Sequence, residues 1–175
     1  MLEGRLVRLR PVEWDDLPSI VRWMNDPAVT EFLLSTPIAS LAEQQAWYQS
    51  MQGGKDRALS VVDHEGSLQG YCGITRLDWE DRQCSVWVII GEKESWDRGY
   101  GTDALSTMLE HLFGELNLNR VYLTVAEENR RAIKAYERCG LRIEGTHRRS
   151  RFKNGRYCND LTMAILREDW RDKRE

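Results

Sequence analysis

The sequence lacks any long hydrophobic run. Its longest uninterrupted apolar segment is Val86–Ile90, whereas a helix needs about 20 apolar residues to cross a bilayer. The first residues, Met1–Arg5, also lack the apolar stretch of a signal peptide. No repeat and no Gly/Ser-rich linker divides the 175 residues. We therefore expect a single domain spanning residues 1–175, located in the cytoplasm and without a membrane partner.

Features of metal sites and of nucleic-acid-binding surfaces are also scarce. The four cysteines form no C-x-x-C pair and the three histidines are scattered along the chain, so we expect no metal site and no disulfide framework. With 25 Lys and Arg against 28 Asp and Glu, the net charge is −3 at pH 7. Nucleic-acid-binding domains usually carry a strongly basic field. We therefore expect no nucleic-acid partner.

Hydrophobic patterning predicts a mixed α/β layer fold. The strand Cys84–Ile90 is almost wholly apolar, which predicts a position at the centre of the sheet. Pro27 is expected to end the first helix, and Asn154-Gly155 indicates a type I′ hairpin turn. The expected strands cover Arg5–Val12, Ala58–Asp63, Leu68–Leu77, Cys84–Ile90, Arg120–Val125, Arg142–Phe152 and Arg156–Ile165. The expected helices run from Asp15 to Asn25, from Ser40 to Gly53, from Thr102 to Glu115 and from Asn129 to Cys139.

A glycine-bearing segment, Trp96–Thr102, joins the buried strand to the following helix. Gly99 and Gly101 let the backbone turn tightly and approach a ligand without obstruction from a Cβ atom. We expect an unusual φ at Gly101. The free N–H groups of the first helical turn, together with the helix dipole, favour a phosphate or pyrophosphate. A tight turn without a ligand is the alternative interpretation of the glycine pair alone.

Two familiar nucleotide-binding motifs do not match this segment. A dinucleotide fingerprint needs a third glycine at a set spacing, where the chain has Asp103-Ala104. A P-loop needs G-x-x-x-x-G-K-[ST], which is absent from the sequence.

The helix expected from Asn129 carries a second motif. Asn129 and Tyr136 are seven residues apart and therefore lie close to one helical face. Taken alone, an apolar face that ends in a tyrosine is typical of ordinary core packing.

Taken together and in this order, the two motifs resemble those of the GNAT acetyltransferases. The resemblance extends over essentially the whole chain. The segments Leu6–Pro11 and Trp23–Pro27 are similar to the branch that contains ribosomal-protein N-terminal acetyltransferases. Leu116–Tyr136 and Phe152–Gly155 are similar to bacterial spermidine acetyltransferases.

The resemblance implies a mixed central sheet whose two parallel strands splay apart, flanked by helices. It also implies an N-acetyltransferase that moves the acetyl group of acetyl-CoA to a primary amine by direct attack in a ternary complex. The expected acceptor is a protein N-terminus or a small amine. A small-molecule enzyme specialised for a polyamine, an amino sugar or an antibiotic is the alternative within the same chemistry. A non-catalytic acyl-CoA-binding module is the alternative from another functional class.

The resemblance also assigns roles to individual residues. Tyr136 matches the general acid that protonates the departing thiolate, and the backbone N–H of Ile89 is expected to stabilise the oxyanion. Trp96 departs from the family pattern, which usually has Gln or Arg there. The expected acetyl-CoA contacts are Ile89, Ile90, Arg98, Gly99, Tyr100, Gly101, Thr102, Asp103, Asn129, Arg131 and Lys134.

The general base and the acceptor site are less clearly marked. The positions where relatives place a catalytic carboxylate hold Ser85, Trp87 and Thr124 here. A carboxylate from another loop or a water relay is the remaining alternative, and the candidate acids are Glu31, Asp78, Glu80 and Asp81. We expect those acids, with nearby aromatic rings, to attract a cationic amine.

The stretch Arg142–Arg156 is strongly basic. A solvated hairpin is the simplest interpretation of this charge. Contact with an acidic partner or with a second subunit in a homodimer is the alternative.

Overall fold

The structure, a computed structural model, describes residues 1–34 and 38–172. Its strands are β1 (Leu2–Glu3), β2 (Val7–Pro11), β3 (Arg57–Asp63), β4 (Leu68–Asp78), β5 (Gln83–Ile90), β6 (Arg120–Ala126), β7 (Arg142–Lys153) and β8 (Arg156–Leu166). Its α-helices are α1 (Leu17–Met24), α2 (Pro27–Thr30), α3 (Leu41–Ser50), α4 (Tyr100–Glu110), α5 (Arg130–Cys139) and α6 (Arg167–Asp172).

The strands form one eight-stranded mixed sheet in the order β1-β2-β3-β4-β5-β6-β8-β7. Neighbouring strands pair antiparallel except β5 and β6, which run parallel. The apolar strand β5 lies inside the sheet between β4 and β6, which confirms the prediction from its composition. Asn154 and Gly155 both have positive φ in the β7–β8 turn, as a type I′ turn requires.

The helices differ from the prediction mainly at their ends. Pro27 does not simply end the first helix; it begins α2, and the Asp26 carboxylate accepts a hydrogen bond from the N–H of Ala28. Proline is well placed there because the first helical N–H has no partner in any case. The capping box at Ser40 is present. No helix in the described part of the chain is both long and apolar enough to cross a membrane.

Two hydrophobic clusters cover the two faces of the sheet. On one face, α4 and the helical segment His111–Glu115 that continues it bury a row of side chains with helical spacing, namely Leu105, Met108, Leu109 and Leu112. On the other face, α1 buries Leu17, Ile20 and Trp23 against Tyr71 of β4. The sheet is therefore held between α4 and α5 on one side and α1 to α3 on the other.

A buried carboxylate joins α1 to the sheet. Asp16 accepts two hydrogen bonds from the Arg10 guanidinium, at 2.7 and 2.8 Å, and one from the Ser60 hydroxyl at 2.6 Å. The N–H of Glu13 donates to the same carboxylate at 2.9 Å. Burial by itself would raise the pKa of Asp16, but these hydrogen bonds outweigh it and hold the pKa below its ordinary value. Asp16 therefore stabilises the fold in its ionised form.

We predict that Asp16→Asn lowers the free energy of unfolding at pH 7 by about 3 kcal/mol, because it leaves Arg10 without its partner. The folded-state pKa of Asp16 is lowered, so its stabilisation is present above the unfolded pKa, near 4, and is lost as pH falls through the folded value. Urea unfolding between pH 7 and pH 3 measures both effects. Asp15→Asn, at an exposed neighbour, is the matched control. Equal stability of the two variants would contradict the assignment.

Candidate active site

The two parallel strands separate part-way along the sheet. Their pairing covers only Gln83–Ser85 of β5 and Arg120–Tyr122 of β6. Beyond that point β5 stays paired to β4 as far as Ile90, and β6 stays paired to β8 as far as Ala126. The expected separation of the strands is therefore present, and it leaves backbone groups along their facing edges available to a ligand.

A cleft of about 280 Å³ opens where the strands diverge. It is bounded by the last residues of β5, by the glycine loop with the first turn of α4, by one face of α5 and by the segment at α2. A concave pocket that combines apolar walls with a few convergent polar groups is typical of a ligand site. The lining residues are Val29, Phe32, Leu33, Val88, Ile89, Ile90, Ser95, Trp96, Asp97, Gly99, Tyr100, Gly101, Thr102, Asn129, Arg131, Ala132, Ala135, Tyr136 and Arg138.

The glycine loop presents backbone donors to this cleft. Gly99 has a φ of 90° and immediately precedes α4, so the left-handed conformation lies there and not at Gly101 as expected. The first hydrogen bond of the turn runs from the N–H of Asp103 to the Gly99 carbonyl. The N–H groups of residues 100–102 precede it and are unpaired within the described residues. A Cβ atom at Gly101 would meet only Ile90, at 3.5 Å.

Helix α5 forms the opposite wall. The side-chain oxygen of Asn129 accepts a hydrogen bond from the N–H of Ala132 and caps the helix. Seven residues later Tyr136 faces the cleft. Burial raises the pKa of Tyr136 to about 12, so the phenol stays protonated at neutral pH. Its hydroxyl has no hydrogen-bond partner in the part of the chain that the structure describes.

Most of the expected acetyl-CoA contacts lie together in the cleft wall, but three do not. The Asp103 carboxylate accepts hydrogen bonds from the N–H groups of Leu6 and Val7, at 2.7 and 3.0 Å, and so anchors the start of β2. Arg98 lies 5.8 Å from the ring centre of Tyr100, outside the lining. Lys134 is exposed on α5 and also lies outside the lining.

Sequence reasoning missed part of the lining. Ala132 lies between Asn129 and Tyr136 in the motif and lines the cleft with them, and helical spacing from it could also have identified Ala135. Phe32 and Leu33 come from the segment after α2, which only tertiary packing brings to the cleft. No local pattern signals that placement.

The acidic turn between β4 and β5 is far from the cleft, contrary to the expectation for the acceptor site. Asp78 pairs with Gln83 at one end of these strands, while the cleft lies at Ile90. Seven residues of extended strand span about 23 Å. The Asp78 carboxylate instead accepts hydrogen bonds from the N–H groups of Glu80 and Asp81, within the turn itself. Asp78, Glu80 and Asp81 are therefore not near the reacting centre.

Glu31, by contrast, lies beside the cleft. It follows α2 directly and precedes Phe32, which lines the cavity. The Lys153 ammonium group donates to the backbone carbonyls of Thr30 and Leu33, at 2.5 and 3.0 Å. Burial lowers the pKa of Lys153, and the nearby charge of Glu31 opposes that shift. The β7–β8 hairpin thus holds one wall of the cleft in place.

Most basic side chains of the hairpin are exposed, as the simplest interpretation expects, but Arg151 and Lys153 make specific contacts. Arg151 is buried and donates to Asp160 at 2.9 Å and to Glu128 at 3.1 Å. Glu128 also lies 3.5 Å from Arg156. Because Glu128 directly precedes the cap residue Asn129, this network fixes the chain at the start of α5.

A model of the acetyltransferase (GNAT) domain family matches residues 6–142 of the sequence. That span contains the separating strands, the glycine loop and α5. The chain belongs to the GNAT acetyltransferases. It is thus a member of a family of acetyl-CoA-dependent N-acetyltransferases, which confirms the resemblance found in the motifs.

Similar proteins cover the GNAT chain almost from end to end. Spermidine N(1)-acetyltransferase of Escherichia coli K12 is 27% identical over 170 residues, which are 97% of this chain and 91% of that protein. Its Vibrio cholerae counterpart is 29% identical over 168 residues, 95% and 96% of the two chains. The crystal structure of a Vibrio cholerae spermidine N-acetyltransferase with CoA and spermine superposes with a TM-score of 0.88 at 28% identity, covering 94% and 98% of the two chains.

The described part of the chain brings together no group of three or more His, Cys, Asp or Glu side chains that could hold a metal ion. Most polar groups of the cleft lining can donate hydrogen bonds, and the carboxylate of Asp97 is the exception. The donors are backbone N–H groups, the Asn129 amide, the guanidinium groups of Arg131 and Arg138, and the hydroxyls of Ser95, Thr102, Tyr100 and Tyr136. Hydrogen-bond donors of this kind are suited to anionic and carbonyl oxygens.

We predict that Gly101→Val weakens CoA binding roughly 10-fold or more, because its side chain would separate the phosphate from the N–H groups of the first turn. The fold should survive, since a Cβ atom at Gly101 makes only an ordinary contact with Ile90. Calorimetric titration with CoA measures the effect. Gly114→Val is the matched control, because its Cβ would enter open space. Unchanged affinity in Gly101→Val would contradict the phosphate assignment.

Proposed function

We propose that this GNAT acetyltransferase transfers the acetyl group of acetyl-CoA to a primary amine of a small polyamine. The observation that carries the proposal is the meeting of three elements in one cleft: the unpaired N–H groups of the glycine loop, the free edge of β5 and the Tyr136 phenol. The names of the relatives that span the chain support a polyamine as the acceptor.

The acyl donor enters along the separated strands. In this proposal the pyrophosphate of CoA accepts hydrogen bonds from the N–H groups of residues 100–102, where the dipole of α4 also favours negative charge. The pantetheine arm pairs with the exposed edge of β5 near Ile89 and Ile90, as an added strand pairs with a sheet. The amide group of Asn129, whose oxygen caps α5, lies beside that arm.

The chemical step needs an oxyanion donor and a proton donor. When the neutral amine attacks the thioester carbonyl, negative charge develops on the oxygen, and we assign its stabilisation to the backbone N–H of Ile89. The C–S bond then breaks, and the sulfur leaves as a thiolate. Tyr136 supplies a proton to that sulfur, and its raised pKa keeps the proton in place until then. The attacking nitrogen, which is positively charged in the tetrahedral intermediate, loses its proton to solvent, and solvent returns a proton to the Tyr136 oxygen, so that the products are a neutral amide and CoA with a free thiol.

The acceptor side carries features suited to a cation. Glu31 lies beside the wall formed by Phe32 and Leu33. Phe32 contributes an aromatic ring to that wall, whereas the rings of Tyr71 and Trp87 pack in the cluster beneath α1 and lie outside the lining. Carboxylates and aromatic faces both attract ammonium groups.

The acceptor is tested with a panel that contains spermidine, spermine, a peptide with a free N-terminus and a nucleotide-linked amino sugar. We expect the highest kcat/KM for the polyamines. The rate should rise with pH through the pKa of the amine, because only the neutral form attacks. Mass spectrometry of the products identifies the acetylated species. Acetylation of the peptide or of the amino sugar alone would overturn the polyamine assignment, and absence of thioester turnover with every amine would favour a binding module.

We predict that Glu31→Gln raises the KM for spermidine by roughly 3-fold and lowers its dependence on salt, as expected for one exposed charge. The KM for acetyl-CoA should not change. Glu80→Gln is the matched control, since Glu80 lies in the turn at the far end of β4 and β5. Steady-state kinetics at several salt concentrations separate the two variants. An equal change in the KM for spermidine in the two variants would show that Glu31 does not contact the amine.

We predict that Tyr136→Phe lowers kcat roughly 10²-fold, because it removes the proton donor and keeps the packing of the ring. CoA affinity should be unchanged. Between pH 7 and 10 the wild-type rate should show no decrease due to Tyr136, because its pKa lies near 12. Tyr122→Phe is the control, at a position where β5 and β6 still pair. Unchanged turnover in Tyr136→Phe at saturating substrates would show that this tyrosine only packs in the cleft wall and does not donate the proton.

A further inference from the structure

The indole of Trp96, the first residue of the glycine-bearing segment, contacts the end of the central strand. The indole N–H donates a hydrogen bond of 2.8 Å to the carbonyl of Ile90, the last residue of β5. The ring is half-buried and packs against the cluster that contains Trp23. The hydrogen bond and the packing together fix the plane of the indole at the entrance to the glycine loop.

The face of the same indole supports a guanidinium group from the opposite wall. The central carbon of the Arg131 guanidinium lies 3.9 Å from the centre of the Trp96 ring. This is close for a cation–π contact, which extends to about 6 Å. Because Arg131 belongs to the first turn of α5, the stacked pair connects the two sides of the cleft near the glycine loop.

Stacking occupies the face of the Arg131 guanidinium and leaves its edges free. Within residues 1–34 and 38–172 the structure shows no hydrogen bond and no ion pair for these edges. The donors of a guanidinium all lie in its plane and match the oxygens of a phosphate. Lys134, the other basic residue proposed on this helix, lies outside the cleft lining and has no comparable support.

We infer that Trp96 is a positioning residue for acetyl-CoA, which holds the Arg131 guanidinium flat so that its free edge binds a phosphate group of the cofactor. This inference rests on the proposed acetyl-CoA site and adds a residue that determines how tightly the cofactor binds there. Trp96 thereby acts through Arg131 and does not itself bind the phosphate. The phosphate is either the pyrophosphate or the phosphate on the ribose.

Calorimetric titration with CoA tests the pair without any acceptor amine. Arg131→Gln and Trp96→Leu should each weaken CoA binding roughly 10-fold, as loss of a charge-assisted hydrogen bond does. The double variant should bind no more weakly than either single variant, because both changes remove the same contact. Trp96→Phe keeps a ring face but loses the bond to Ile90, so its affinity should be intermediate. Arg131→Lys keeps the charge and should restore only part of the affinity.

Titration with dephospho-CoA identifies the phosphate. If the penalty of Arg131→Gln disappears with this ligand, the guanidinium binds the ribose phosphate; if it persists, the guanidinium binds the pyrophosphate. The inference would be overturned if the losses of CoA affinity in the two single variants added up in the double variant. It would also be overturned if both Trp96→Phe and Arg131→Gln bound CoA as tightly as the wild type. Failure of the proposed transferase activity would leave these binding results unaffected.

Discussion

The separation of β5 from β6 is the constraint on which the rest of the site depends. Each strand keeps its outer neighbour, so the sheet stays intact while one internal edge opens after Ser85 and Tyr122. Backbone groups on that edge are costly to bury without a partner. A ligand with amide groups along its length can supply the missing hydrogen bonds. The glycine loop and α5 then need only to hold the two ends of that ligand.

Charge is distributed unevenly along the cleft. Arg131 and the helix N-terminus favour an anion on the side of the glycine loop, whereas Glu31 lies beside the wall formed after α2. In the proposed reaction, an anionic acyl donor and a cationic amine are thereby directed to different parts of one cavity. This division suits the proposed transfer in a ternary complex, which needs both substrates bound at once.

Local chemistry explains how much of this arrangement the sequence could predict. The apolar run of β5, the glycine pair and the Asn129–Tyr136 spacing act within a few residues, so their strands, turns and helices were identifiable. The wall at Phe32, the buried Arg151 and the Lys153 contact depend on residues far apart in the chain, which no local pattern reveals. The acidic turn was predicted at the wrong end of the sheet, and this error was avoidable. The turn precedes β5 and the glycine loop follows β5, so the two must lie at opposite ends of that strand.

The contact of Lys153 with the carbonyls of Thr30 and Leu33 joins segments about 120 residues apart. The wall beside the proposed amine is consequently assembled from two independent pieces of chain, α2 with its following residues and the tip of a hairpin. Substitutions in either piece can reshape that wall while Gly99 and Tyr136 stay as they are. Such a construction lets descendants of one ancestral enzyme diverge in the amine they accept and still inherit an unaltered acyl-donor site.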